Sequence, residues 1–169
     1  MKKTMLMISC LLCMQVLFAQ EENPNKVRKN EFGINAGFTT GVGFSYRCWP
    51  KKLGFQLTAL PIKQNDKIWI SAGITGLYKF YDAKYVRVFG YLGNHLLIYD
   101  KENYIFNNNY PYSSTPVNKR RELYNIGFGP GFGFGQVVKF NIMFGYSAQD
   151  VLEDFNLLPT GEIGLYYAF

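Results

Sequence analysis

The sequence predicts an all-β chain: a single up-and-down antiparallel transmembrane β-barrel of eight strands. Three observations lead there. From Phe32 onward the apolar side chains recur on every second position, the period of a strand and not of a helix. The 169 residues include 15 Phe, 13 Tyr and 17 Gly, an aromatic-plus-glycine composition. Short turns alternate with longer polar connections, the layout of a barrel that crosses a membrane with strands.

The strands follow in order. In "FGINAGFT", Phe32, Ile34, Ala36 and Phe38 oppose Gly33, Asn35, Gly37 and Thr39. In "GVGFSYRC", Val42, Phe44, Tyr46 and Cys48 oppose Gly43, Ser45 and Arg47. "GFQLTAL" sets Phe55, Leu57 and Ala59 against Gln56 and Thr58. "IWISAGITGLYKF" sets Ile68, Ile70, Ala72, Ile74, Tyr78 and Phe80 against Ser71, Gly73, Thr75 and Lys79. In "YVRVFGYLGNHLLIY" the charge on Arg87 makes Val86, Val88, Leu92 and Leu96 the apolar set. Asn94 then falls on the wrong face, and a bulge near Gly93 is expected to correct it. "LYNIGFGPGFGFG" gives Tyr124, Ile126, Phe128, Phe132 and Phe134 against Asn125 and glycines, with Pro130 removing one ladder donor. "VVKFNIMFGYS" sets Val138, Phe140, Ile142, Phe144 and Tyr146 against Lys139, Asn141 and Gly145. The last segment sets Ile163, Leu165, Tyr167 and Phe169 against Glu162, Gly164 and Tyr166.

The expected turns after strands two, four and six are short, near residues 49–53, 82–84 and 135–136. A long polar loop, "DKENYIFNNNYPYSSTPVNKRRE", follows strand five, and "AQDVLEDFNLLPT" follows strand seven. The first connection, "TTG", is unusually brief, and "KQNDK" after strand three is also short.

Residues 1–19 read as a secretory signal peptide: "MKK", an apolar run, then Ala19 before polar "EENPNK". Residues 20–31 read as a polar linker and 32–169 as the barrel domain. Cleavage after Ala19 leaves 169 − 19 = 150 residues and a net charge of +6 − 2 = +4, through loss of Lys2 and Lys3. Only Cys48 remains, so no internal disulfide is available. The basic residues are dispersed, which argues against nucleic acid as a partner.

Alternation alone does not separate a membrane barrel from a soluble one. The small or polar face does. It is rich in glycine, with a few long charged residues, and suits the narrow lumen of eight strands. Tyr and Phe recur at strand ends, as in interfacial girdles. Arg47, Lys79, Arg87 and Lys139 are thus expected in the lumen, with Glu162 as their central acceptor, because buried charges need partners.

The "LFAQ" signal ending, the glycine- and aromatic-rich strands and the terminal "GLYYAF" resemble small outer-membrane β-barrel proteins of Gram-negative bacteria, most closely the Bacteroidota-type barrel domain. The resemblance covers residues 31 to 169. It implies that Ile163, Leu165, Tyr167 and Phe169 form a C-terminal signal read by the barrel-assembly machinery. It also implies location in the outer membrane.

"GFGPGFGFG" lacks the strand–loop–helix setting and the Lys-Ser/Thr of a phosphate-binding loop, and reads as a crowded inner face. His95, the only histidine, is expected near the outer end of strand five, without the partners of a triad. Asp150, Glu153 and Asp154 read as a solvated acidic surface. Lys119, Arg120 and Arg121 end the long loop and are the candidate contact with lipopolysaccharide. The expected role is a non-enzymatic outer-membrane barrel, monomeric and without cofactor or metal, whose loops meet envelope or external partners. A small-solute channel is the alternative, and a lipid-modifying rim enzyme ranks behind it.

Overall fold

The computed structural model describes residues 28–64, 67–107, 113–152 and 155–169, with side chains described outside 101–119. The expected signal peptide, most of the linker, and Glu153 and Asp154 lie outside the described residues. Eight strands form: β1 (Asn30–Ala36), β2 (Gly43–Cys48), β3 (Leu53–Gln64), β4 (Lys67–Asp82), β5 (Val86–Asn107), β6 (Ser113–Phe134), β7 (Val138–Gln149) and β8 (Asn156–Ala168). They pair in chain order and close as an antiparallel barrel. The seam is β1 on β8, with Phe32 opposite Tyr167 and Ile34 opposite Leu165. Beyond it, Phe169 N donates to Asn30 O at 2.8 Å.

The alternating pattern sorts as the sequence requires. Phe32, Ile34, Phe44, Leu57, Ile74, Leu92, Phe128, Phe140, Ile163 and Leu165 face outward, each exposed by well over a third. The opposite set is buried: Asn35, Ser45, Arg47, Gln56, Thr58, Ser71, Thr75, Asn125, Asn141 and Glu162. A barrel with its apolar belt outside and its polar side chains inside is inverted relative to a soluble one. The lumen is less uniformly polar than its glycines imply. Trp49, Leu77, Phe89, Tyr91 and Met143 form a small apolar core inside it.

Several elements depart from the sequence-based expectation. The long loop after strand five is largely strand: β5 and β6 pair from Val86–Phe134 through Asn107–Ser113, and beyond Tyr99 they pair only with each other. Much of "AQDVLEDFNLLPT" is strand too, since β7 and β8 stay paired up to Gln149 opposite Asn156. No bulge occurs at Gly93, which pairs Thr75 and Gly127 in unbroken register. Asn94 faces outward after all, and its Oδ1 accepts the Tyr124 hydroxyl at 2.9 Å. The register shift lies instead between Lys79 and Tyr81, where Phe80 is the extra residue.

β1 and β2 are short, so the wall is low at one place. β3 continues past its last β2 partner (Ala59), and β8 begins before its first β1 partner (Ile163). Pro61 and Pro159 sit in these one-neighbour stretches, the sheet-edge setting in which proline is tolerated. Pro130 pairs Gly90 on β5, and the β6–β7 ladder breaks beside it.

Candidate functional site

The lumen holds two polar assemblies. The first is centred on Glu31, the second residue of β1 and fully buried. Its Oε1 accepts Arg87 Nη1 at 2.6 Å and Lys139 Nζ at 2.8 Å, while Arg47 Nη1 lies 3.7 Å from Oε2. Arg47 stands directly opposite Glu31 on β2. Its Nε and Nη2 also donate to Gln56 Oε1 at 3.1 and 2.6 Å. Its guanidinium lies 4.2 Å from the Tyr166 ring centre and 5.3 Å from that of Phe89. Arg87 donates from Nε to Asp82 Oδ1 at 3.0 Å and lies 4.6 Å from the Trp49 ring centre. Lys79 pairs with Asp82 at 2.8 Å.

This corrects the expectation for Glu162. Glu162 is buried and inward, but none of the four bases reaches it. Its Oε1 accepts the Thr39 backbone N–H at 3.2 Å and the Thr39 hydroxyl, and its Oε2 accepts the Thr40 hydroxyl. The reason is height in the barrel: Glu162 stands level with the first turn, while Glu31 stands among the bases. The polar neighbours of Glu31 make it read as part of the linker. Its parity with Gly33 and Asn35 was the signal that it faces inward.

The second assembly is the β1–β2 connection, which folds into the lumen. Asn35 Nδ2 donates to Thr40 Oγ1 at 2.7 Å and to Gly41 O at 2.8 Å. Gly41 has φ +87°, a left-handed conformation that suits glycine. Phe38 O is held 2.8 Å from His95 Nδ1 and accepts Asn125 Nδ2 at 3.1 Å. Val42 N donates to Ser71 Oγ at 2.9 Å. The inward glycines are the seat of this turn. A Cβ on Gly73 would strike the Thr40 carbonyl, one on Gly93 the Thr39 carbonyl, and one on Gly127 the Thr39 side chain. The glycine run of β6 therefore makes room for protein: Gly127 for Thr39, and Gly131 for Phe89 and Met143.

His95 is not at an outer end. β5 continues beyond the expected end at Tyr99, and His95 lies inside the barrel, opposite Gly73 and Asn125. Its Nε2 is 2.9 Å from Ser71 Oγ. With Nδ1–H donating to Phe38 O, Nε2 is left to accept the Ser71 hydroxyl. Both side chains are buried, and Ser71 Oγ is already engaged by Val42 N. The pair is thus a strut under the turn. His95→Ala should cost about 1–3 kcal/mol by stranding Ser71 and the Phe38 carbonyl, measured by denaturant unfolding of the folded barrel.

Of the proposed contact residues, Arg120 is exposed on the extended β5–β6 ribbon, with Nε 3.4 Å from Asp100 Oδ1. Lys119 pairs in register with Lys101 and Arg121 with Tyr99. Ile163, Leu165 and Phe169 present exposed side chains on the closing strand's outer face. Asp150 adopts φ +50°, and its N–H donates to Asn125 Oδ1 at 3.1 Å. Among the described residues no group of His, Cys, Asp and Glu side chains could hold a metal ion.

No family model matches the sequence, and no curated protein matches it. Several solved structures are similar, among them the following two. One is the N-terminal β-barrel domain of Pseudomonas aeruginosa OprF: TM-score 0.48, 15% identity, covering 83% of this chain and 96% of that one. The other is Neisserial surface protein A: TM-score 0.42, 16% identity, 83% and 95% covered. At these values the likeness carries no argument, and the barrel rests on its own strand register.

Proposed function

We propose that the chain is an integral outer-membrane β-barrel with a closed lumen and a non-enzymatic role, exercised through the ribbon that extends from β5 and β6. The observation that carries this reading is the inverted barrel. Ile74, Phe44, Phe80 and Ile34 stand 56–67% exposed on its outer wall. An apolar belt of this extent calls for lipid. The strands from Lys67 to Asp82 and from Val138 to Gln149 are long enough for a tilted crossing. The termini and the three short turns share one end, the periplasmic side in this reading. The Bacteroidota-type affiliation, the sorting role of Ile163, Leu165, Tyr167 and Phe169, the monomeric state, and contact of Lys119, Arg120 and Arg121 with lipopolysaccharide belong to the same proposal.

The channel alternative ranks lower because the infolded turn occupies the lumen above the Glu31 hub. The decisive measurement is gel migration of the outer-membrane fraction with and without boiling. A folded barrel migrates differently before boiling, and identical migration sinks the membrane reading. In planar bilayers the intact protein should give no steady openings. Regular conductance steps would favour the channel.

A further inference from the structure

The glycines of the outer wall differ from those of the lumen. Gly76 faces outward on β4, and a Cβ there would meet only the Leu92 carbonyl, at 3.9 Å. No packing inside the protein requires glycine at that position. Beside it, Gly90 pairs Tyr78 on one side and Pro130 on the other. These small residues floor a groove of about 560 Å³, walled by Leu53, Tyr78, Phe80, Leu92 and Phe128. That volume falls within the roughly 300–1,000 Å³ of small-ligand sites.

Phe80 also lines a second, separate depression of about 320 Å³, toward the end of the barrel that carries the termini. Its lining is basic: Lys29, Lys51, Lys52 and Lys79, with Asp82 the sole acid among its lining residues. Asp82 is already committed to Lys79 and Arg87. Lys29, Lys51 and Lys52 are exposed and have no carboxylate partner among the described residues. Trp49, from the lumen core, also lines this depression, and its buried indole Nε1 has no acceptor among the described residues.

We propose that the two depressions that meet at Phe80 together bind one anionic phospholipid, with an acyl chain in the groove and the phosphate on the lysine rim. The charge decides the headgroup. Three uncompensated ammonium groups at an interface favour a lipid of net negative charge over a zwitterionic one. The end of the barrel decides the leaflet. If the termini are periplasmic, the lysines face the inner leaflet, where phospholipid headgroups lie. This inference rests on the membrane reading above.

The test uses Trp69→Phe, which leaves Trp49 as the only tryptophan of the chain, reconstituted into phosphatidylcholine vesicles. Brominated phosphatidylglycerol should quench Trp49 several-fold more strongly than brominated phosphatidylcholine at the same low mole fraction. Lys51→Glu with Lys52→Glu should bring the two lipids level. Gly76→Leu, which fills the groove, should weaken the preference as well. In native mass spectra the unmodified barrel should retain phosphatidylglycerol selectively. Equal quenching by both lipids, or none, with no selective retention and a barrel that still shifts on boiling, overturns the lipid site alone. Failure to insert or to shift overturns the membrane reading instead.

Discussion

Glu31→Gln is expected to destabilise the barrel by about 3–5 kcal/mol, the usual cost of removing one partner from a buried ion pair. The amide keeps the shape of the carboxylate and removes its charge. Arg47, fully buried and opposite position 31, then keeps Gln56 but loses its counter-charge. Arg87 retains Asp82 and is partly relieved, and Lys139 lies near enough to the rim to reach water. The loss should therefore be concentrated at Arg47. Combining Glu31→Gln with Arg47→Met should cost less than the two single changes summed, since each then removes the other's unpaired partner. Glu162→Gln should cost less than about 2 kcal/mol, because an amide oxygen still accepts from Thr39 or Thr40. Denaturant unfolding of the refolded protein in detergent reads all four variants. If Glu162→Gln equals or exceeds Glu31→Gln, the hub has been placed on the wrong acid.

The second large effect is expected from Gly73→Val. A side chain at position 73 points at the Thr40 carbonyl, and that obstacle is backbone with no rotamer to adopt. Overpacking of this kind costs about 1–3 kcal/mol or more. The least costly relaxation is for the turn to leave the lumen. It then surrenders the contacts of Glu162, His95 and Asn125 together. The variant should lose stability and, in planar bilayers, gain ion conductance that the parent lacks. Gly76→Val, one strand face away and pointing outward into open space, is the control and should do neither. Conductance that is unchanged by Gly73→Val would mean that the turn does not stopper the barrel.

What the sequence made legible ends where the apolar belt ends. Within the belt each strand has one face on the polar lumen and one on an apolar exterior, so Phe32 and Ile34 alternate cleanly with Gly33 and Asn35. Past the belt both faces meet water and the period-two signal vanishes, which is why Lys63–Gln64 of β3 and the upper part of β5 read as loop. The same blind spot misplaced His95, since its height depends on how far β5 continues. The lumen bases were readable one by one from parity, and so was the inward face of Glu31. The pairing among them was not, because period two fixes a face and leaves the height along the barrel open. The glycine stripe was visible, but the object that fills it is a tertiary contact between the first turn and strands β4, β5 and β6.

The seam adds a constraint in time. Phe32 pairs with Tyr167, a separation of 167 − 32 = 135 positions, so the first strand made waits for the last. Glu162, which latches Thr39 and Thr40, is on that same last strand. Until β8 docks, the turn lacks its main anchor. Sealing the wall and stoppering the bore are therefore one event, and a barrel caught half-assembled would be a leak as well as an open sheet.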